Sequence, residues 1–89
     1  MRAVVTVTGK DNTGIIAKVS AFLSEKGANI EDISQTIMGE YFAMIMIVDI
    51  TSVQTELAVF AKECAQLGEQ IGMSVSVQHE DIFNAMHNV

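Results

Sequence analysis

The order of apolar and polar residues divides the chain into segments with either the two-residue period of a strand or the longer period of a helix. The run over 3–8 alternates valine with threonine and predicts a first strand. From Ile15 the apolar residues recur at i, i+1, i+4, i+7 and i+8, which predicts a helix over about 14–26. Gly27 is expected to end this helix in the left-handed conformation.

The middle of the chain reads as a hairpin. Residues 28–30 lead into a second strand that runs to about Met38, with apolar and polar residues on opposite sides. Gly39-Glu40 is a two-residue turn signal with glycine first, as a type II′ turn prefers. The third strand, over 41–50, is apolar on both faces, which indicates a strand that is covered on both sides.

A second helix follows, with its N-cap expected within 51–55 and its end at about Ile71, where Gly72 is the predicted stop. For the first helix the capping candidates are Thr13 and Asn12.

The last two segments are a strand and a helix. Residues 73–79 alternate strictly and predict a fourth strand. A short tail helix over about 81–88 would present an apolar side formed by Ile82, Phe83 and Met86.

The order β-α-β-β-α-β predicts an α+β, ferredoxin-like sandwich, in which both main helices cover one face of a four-stranded antiparallel sheet. In the usual strand order 4-1-3-2 the two most apolar strands are central, as the pattern requires. The chain is read as a single domain, 1–89, with a core over about 2–79 and the tail helix beyond it. The second apolar face of strand three then needs another cover, and a second subunit is the simplest one.

The composition of the chain limits the kinds of partner that it can bind. Of the 89 residues 49% are apolar, a high share for so small an interior, and this also predicts contact with another subunit. A formal charge of -6 opposes binding to nucleic acid or to an anionic membrane. One cysteine, no signal-peptide layout and no apolar run of spanning length favour a soluble cytoplasmic protein.

The sequence lacks the residue groups of an enzyme. It has no nucleophile–base pair, metal-ligand cluster or phosphate-binding loop, so we expect neither catalysis nor a cofactor. His79 and His87 are read as solvated tail residues rather than metal ligands, and Cys64 as buried and inert. An RNA-binding domain of the same topology would need exposed aromatic residues on its central strands, but the first strand has none. A copper chaperone would need a Cys-x-x-Cys pair, which a chain with one cysteine does not have.

The loop over 9–14, Gly-Lys-Asp-Asn-Thr-Gly, is the strongest candidate site. It leads from a strand into a helix N-terminus, where unpaired backbone N–H groups attract an anion. Its two glycines let the backbone turn and approach a ligand, and Asp11 adds a negative charge. The positive end of the helix and the negative Asp11 lie close together in the sequence, and such a pair suits a zwitterionic ligand.

These residues resemble the ACT domain, a small regulatory ligand-binding module. The resemblance rests on G-K-D-N-T-G-I-I at 9–16, G-A-N-I at 27–30, and M-G-E-Y-F-A-M-I-M at 38–46. It is greatest to the ACT domain of glycine-cleavage-system transcriptional repressors and to small uncharacterised single-ACT-domain proteins. Thr13 stands where proline is common in that family.

The resemblance implies an amino acid bound at a subunit interface, held by the loop of one domain and the start of strand two of its neighbour. The residues that it assigns to the ligand are Asp11, Asn12, Gly14, Ile15, Asn29 and Ile30. It also implies a homodimer or higher homo-oligomer that signals to a partner protein. The alternative is a ligand-free, ACT-like structural or adaptor oligomer that acts through protein–protein contacts.

Overall fold

The computed structural model of the protein describes residues 1–10 and 14–87. The four strands form one antiparallel sheet in the order β2-β3-β1-β4, which is the predicted order read from the other edge. The fold is therefore the predicted βαββαβ sandwich with an added C-terminal helix. Its elements are β1 (Arg2–Lys10), α1 (Ile15–Glu25), β2 (Asn29–Met38), β3 (Tyr41–Asp49), α2 (Leu57–Ile71), β4 (Ser74–His79) and α3 (Glu80–His87).

One face of the sheet packs against α1 and α2, and we call it the helix face. The core lies between these two layers and holds no buried polar side chain among the described residues. Met44 and Met46 are part of it, whereas Met38 is exposed. The largest fully buried side chains are Phe60, Leu23, Met44, Met46, Val5, Val7, Val19, Val48 and Cys64.

Both main helices end at the predicted glycines. At the end of α1 the N–H of Ala28 donates to the carbonyl of Leu23 at 2.9 Å, and that of Gly27 donates to Ser24 at 3.1 Å. Gly27 has φ 86°, so this is a Schellman motif, in which a left-handed residue closes the helix. Gly72, with φ 74°, ends α2 in the same left-handed region.

The first helix starts where it was predicted, but the capping residues predicted for both helices were wrong. The N-cap of α1 is Gly14 and that of α2 is Glu56, and neither makes a side-chain cap hydrogen bond. Thr51, one of the residues expected to cap α2, instead donates its hydroxyl to Asp49 at 2.6 Å. Helix α2 begins further along the chain, at Leu57. Thr13 and Asn12 lie outside the described residues.

The β2–β3 hairpin has the expected two-residue turn. Gly39 has φ 61°, while Glu40 is not in the positive-φ region, a combination that fits type II′ and excludes type I′. At the other end of β2 a β-bulge at Glu31 interrupts the register between Ile30 and Asp32.

The second face of the sheet, which we call the open face, is only half covered. Helix α3 folds back over β1 and β4, where Val4 is buried and the Gln78 amide contacts the Met86 sulfur at 3.3 Å. The existence of α3 was predicted, but its place on this face was not. Towards the hairpin turn, the side chains of β2 and β3 on the open face are exposed, and we call these six the bare half: Ser34, Thr36, Met38, Tyr41, Ala43 and Ile45.

Charged residues close one end of the open face. Arg2 Nε donates to Glu31 Oε1 at 2.7 Å, and the Arg2 guanidinium lies 3.7 Å from Glu80 Oε2. Arg2 thereby connects the bulge in β2 with the first residue of α3. The Arg2 side chain is 53% exposed and the two carboxylates are 34% and 33% exposed, so these solvent-accessible pairs orient the elements more than they stabilise the fold.

Cys64 is buried beside an ion pair that joins α1 to α2. Lys26 Nζ donates to Glu63 Oε2 at 2.6 Å, next to the buried thiol. Burial, together with the neighbouring Glu63 carboxylate, raises the pKa of the Cys64 thiol from 9.0 to about 12. The prediction of a buried cysteine is confirmed, and its high pKa fits an unreactive thiol.

This raised pKa makes the stability depend on pH. Above about pH 9 the unfolded thiol ionises while the folded one stays protonated, so the unfolded state binds fewer protons. We expect the free energy of unfolding of the wild type to fall as the pH rises from about 9 towards 12. The variant C64A should lose this part of the slope, as measured by urea unfolding across that range. Equal slopes for the two proteins would contradict the assignment, because Lys26 and its own raised pKa are present in both.

Candidate ligand site

The N-terminus of α1 provides backbone donors that have no partner within the helix itself. The first helical hydrogen bond runs from the N–H of Lys18 to the carbonyl of Gly14 at 3.0 Å. The N–H groups of Ile15, Ile16 and Ala17 therefore have no acceptor within the helix. The first turn itself contains no acidic side chain that would offset the positive end of the helix dipole. A carboxylate could accept hydrogen bonds at this end.

Two glycines flank the candidate loop, and they have different structural roles. Gly14 has φ 87°, a conformation that favours glycine, and a side chain there would meet no atom nearby. Gly9 still belongs to β1, and a Cβ there would clash with the sulfur of Met73. Gly9 thus permits close packing rather than the expected turn. Asp11 and Asn12 lie outside the described residues.

The other half of the candidate site lies at the start of β2. Asn29 is exposed, and its amide makes no hydrogen bond to the described part of the chain. Ile30 packs its half-buried side chain against the core, so only its backbone is available to a ligand. Both residues were assigned from the family resemblance.

Within one chain these two halves are far apart. In the register, Asn29 is aligned through Asp49 with Arg2 at the start of β1, whereas the candidate loop follows Lys10 at the end of β1. The nine residues of β1 span ~26 Å. Helix α1, which leads from Gly14 back towards the start of β2, is itself ~16 Å long. The structure brings Gly14 together with Ile15, and Asn29 with Ile30, but it does not bring the two pairs together.

The edge strand β2 is exposed along nearly its whole length. Ile33 and Ile37 lie on the helix face but beyond the cover of the helices, and Ile16 on α1 is exposed on the same side of the sheet. A ten-residue edge without lysine or proline is a template for pairing with another strand. The sequence pattern assigned these isoleucines to the apolar side of the strand. Their exposure could have been inferred from the edge position of β2.

The described residues offer little other chemistry. No group of three or more histidine, cysteine, aspartate or glutamate side chains could hold a metal ion within them. His79 Nδ1 accepts the backbone N–H of Asp81 at 3.1 Å, and the side chain of His87 is outside the described part. No helix over this part of the chain is long and apolar enough to cross a membrane.

A four-stranded antiparallel sheet of order β2-β3-β1-β4 with two helices on one face defines the ferredoxin-like fold, which the resemblance also implied. The ACT domain family model matches residues 2–78, and the chain belongs to that family. ACT domains are regulatory modules that usually bind amino acids.

Several full-length proteins resemble the whole chain. A UPF0237 protein of Methanocaldococcus jannaschii is 53% identical over 99% of this chain and 98% of its own length. A UPF0237 protein of Listeria monocytogenes is 49% identical over the full length of both. The solved structure of an ACT domain protein from Streptococcus pneumoniae is 38% identical, covers 98% of each chain and superposes with a TM-score of 0.84.

The predicted likeness to glycine-cleavage repressors holds at the level of the fold. The structure of a candidate glycine cleavage system transcriptional repressor is 23% identical, with a TM-score of 0.72, and the match covers 86% of this chain and 44% of that one. The family model ends at residue 78, before α3, whereas the full-length relatives match over 88–89 residues and so through α3. Helix α3 is thus an addition to the family core that these relatives share.

Proposed function

We propose that the protein is a stand-alone regulatory ACT module that binds an amino acid between two copies of the chain and signals to a partner protein. The observation that carries the proposal is the separation of the two candidate half-sites within one chain. Gly14 and Asn29, one from each half, are exposed, and a second copy is the simplest way to join the halves.

Antiparallel pairing of two β2 strands would join the halves. About a two-fold axis, this pairing places Asn29 of the partner subunit beside Met38, the last residue of β2. Met38 is aligned through Tyr41 with Lys10, from which the candidate loop starts. The same pairing would cover the exposed Ile33 and Ile37 on both copies.

The groups available match an α-amino acid. The free N–H groups at the start of α1 would bind its carboxylate, Asp11 would accept from its ammonium group, and Asn29 of the partner subunit can donate and accept. A hydrogen bond to a charged group contributes about 1.5–3 kcal/mol, and association costs offset part of this. Two or three such bonds support micromolar to millimolar affinity, a range that suits a metabolite sensor.

A thermal-shift screen of the purified protein against the twenty amino acids tests the proposal. At a concentration of one hundred times Kd, the ligand should stabilise the protein by about 2.7 kcal/mol. The variants D11A and N29A should lose the shift, and the matched variants D81A and N84A, which change exposed residues of α3, should keep it. No shift with any amino acid would refute the sensor function.

The second candidate is an adaptor that binds no small molecule. The observation in its favour is the long exposed edge of β2, which could accept a strand from another protein. A flat amino-acid screen, together with protection of the β2 amides from hydrogen exchange by a protein partner, would favour this function.

A further inference from the structure

The open face carries more exposed apolar surface than a solvated sheet face needs. Met38, Tyr41 and Ile45 are 71%, 59% and 41% exposed, and Ile82 and Met86 on α3 are 56% and 64% exposed. At roughly 200 Å² for a fully exposed side chain of this size, these five expose about 600 Å². This reaches the upper end of the ~300–600 Å² patches found on monomers, and such patches are often functional.

The covered and bare parts of this face form a step. Helix α3 lies over β1 and β4 and adds a layer ~10 Å thick, while the bare half beside it has no such layer. The six side chains of the bare half are uncharged, and the exposed Asp32 and Lys10 lie at its two ends, opposite Ile47 and Tyr41. It includes a shallow, mostly apolar depression of about 400 Å³ that is lined by Thr36, Met38, Tyr41 and Ala43 together with the end of β1.

We propose that the bare half is the docking surface for α3 of a second copy of this chain, in a face-to-face contact separate from the β2 edge. The two copies would be related by a two-fold axis parallel to their sheets. The raised part of each open face, formed by α3, would then rest on the lower part of the other, the bare half. Ile82 and Met86, one helical turn apart, would supply the apolar side chains that enter the depression.

The area agrees with a contact between two copies. The five large side chains, with the serine, threonine and alanine residues among them, approach the ~800 Å² per partner of a standard interface. The charged cluster of Arg2, Glu31 and Glu80 lies at one end of the face, outside the bare half. An uncharged centre with charges at its border is the usual composition of a protein–protein interface.

The position of α3 relative to the family core also supports this role. The core ends before α3, yet full-length relatives match this chain through the helix. Within its own chain α3 covers only β1 and β4, and it leaves its own Ile82 and Met86 exposed. A helix with a purely intramolecular role would bury more of its apolar side.

The test compares native masses by sedimentation equilibrium over micromolar concentrations for variants of the two halves of the contact. I45E changes the bare half, and I82E/M86E changes α3. V59E is the matched control, because Val59 is an exposed apolar residue on α2, away from the open face. We expect I45E and I82E/M86E to lower the mass by the same step and to weaken the association at least tenfold, while V59E leaves it unchanged. Circular dichroism checks that each variant is folded.

A further variant, I33K/I37K, separates this contact from β2 pairing. If the contact is correct, I33K/I37K retains an assembly that I45E abolishes, and I45E retains the amino-acid thermal shift of the wild type. A monomeric wild type would overturn the proposal. A native mass that falls in I33K/I37K but in neither I45E nor I82E/M86E would also overturn it. A mass that responds to I45E but not to I82E/M86E would also overturn it, because α3 would then not be the occupant.

Discussion

Replacing Phe60 by alanine is expected to lower the free energy of unfolding by about 3–5 kcal/mol, a large part of the stability of a domain of this size. Phe60 lies on α2 and is 0% exposed, in the middle of the core between the helices and the sheet. The loss combines the transfer of an aromatic ring out of the apolar interior with the cavity that remains. Urea unfolding followed by circular dichroism, at equal protein concentrations, measures the difference.

The neighbouring Val59 provides the control for Phe60. It belongs to the same helix but is 45% exposed, so V59A should change the stability by no more than about 0.5 kcal/mol. A loss below about 1 kcal/mol for F60A would show that the core does not depend on this ring, contrary to the packing described.

Mixing two inactive variants should restore amino-acid binding. If each site takes its loop from one subunit and its β2 start from the other, a mixed dimer of D11A and N29A chains has one site with both changes and one with neither. Random pairing makes about half of the dimers mixed, so about a quarter of the sites recover. Refolding the two chains together, followed by calorimetric titration with the amino acid found in the screen, measures this fraction.

The converse mixture is the control. In a mixed dimer of wild-type and D11A/N29A chains, every site contains one altered half, so binding should fall below the share contributed by the wild-type chains. A site contained within one chain predicts the opposite pair of results: no recovery in the first mixture and no extra loss in the second.

The strands, the helices and their order could be predicted because each element has a recognisable spacing of apolar residues and is followed by a residue that ends it. Gly27 and Gly72 end the two main helices where the pattern placed them. The capping residues could not be predicted in the same way, because Gly14 and Glu56 take the cap positions without a side-chain hydrogen bond. A rule based on capping side chains has no signal at such positions.

Features that depend on the assembled sheet were harder to predict. The tail helix has an apolar side, but nothing in its own pattern specifies the open face, which it reaches because β4 ends beside β1. Ile33 and Ile37 have the spacing of core residues, yet the edge position of β2 leaves them exposed. The candidate ligand residues came from the family resemblance. What the fold adds is that Gly14 and Asn29 of one chain are too far apart to hold one amino acid.

The bulge at Glu31 acts as a phase shift in the alternation of β2. Counted strictly by twos, Ile30 and Ile33 would point to opposite sides of the sheet. The extra residue puts both on the helix face, where Ile30 meets the core of its own chain and Ile33 faces outward at the edge. The first part of β2 thus anchors the strand, while the rest of the same row of side chains is left for a neighbour.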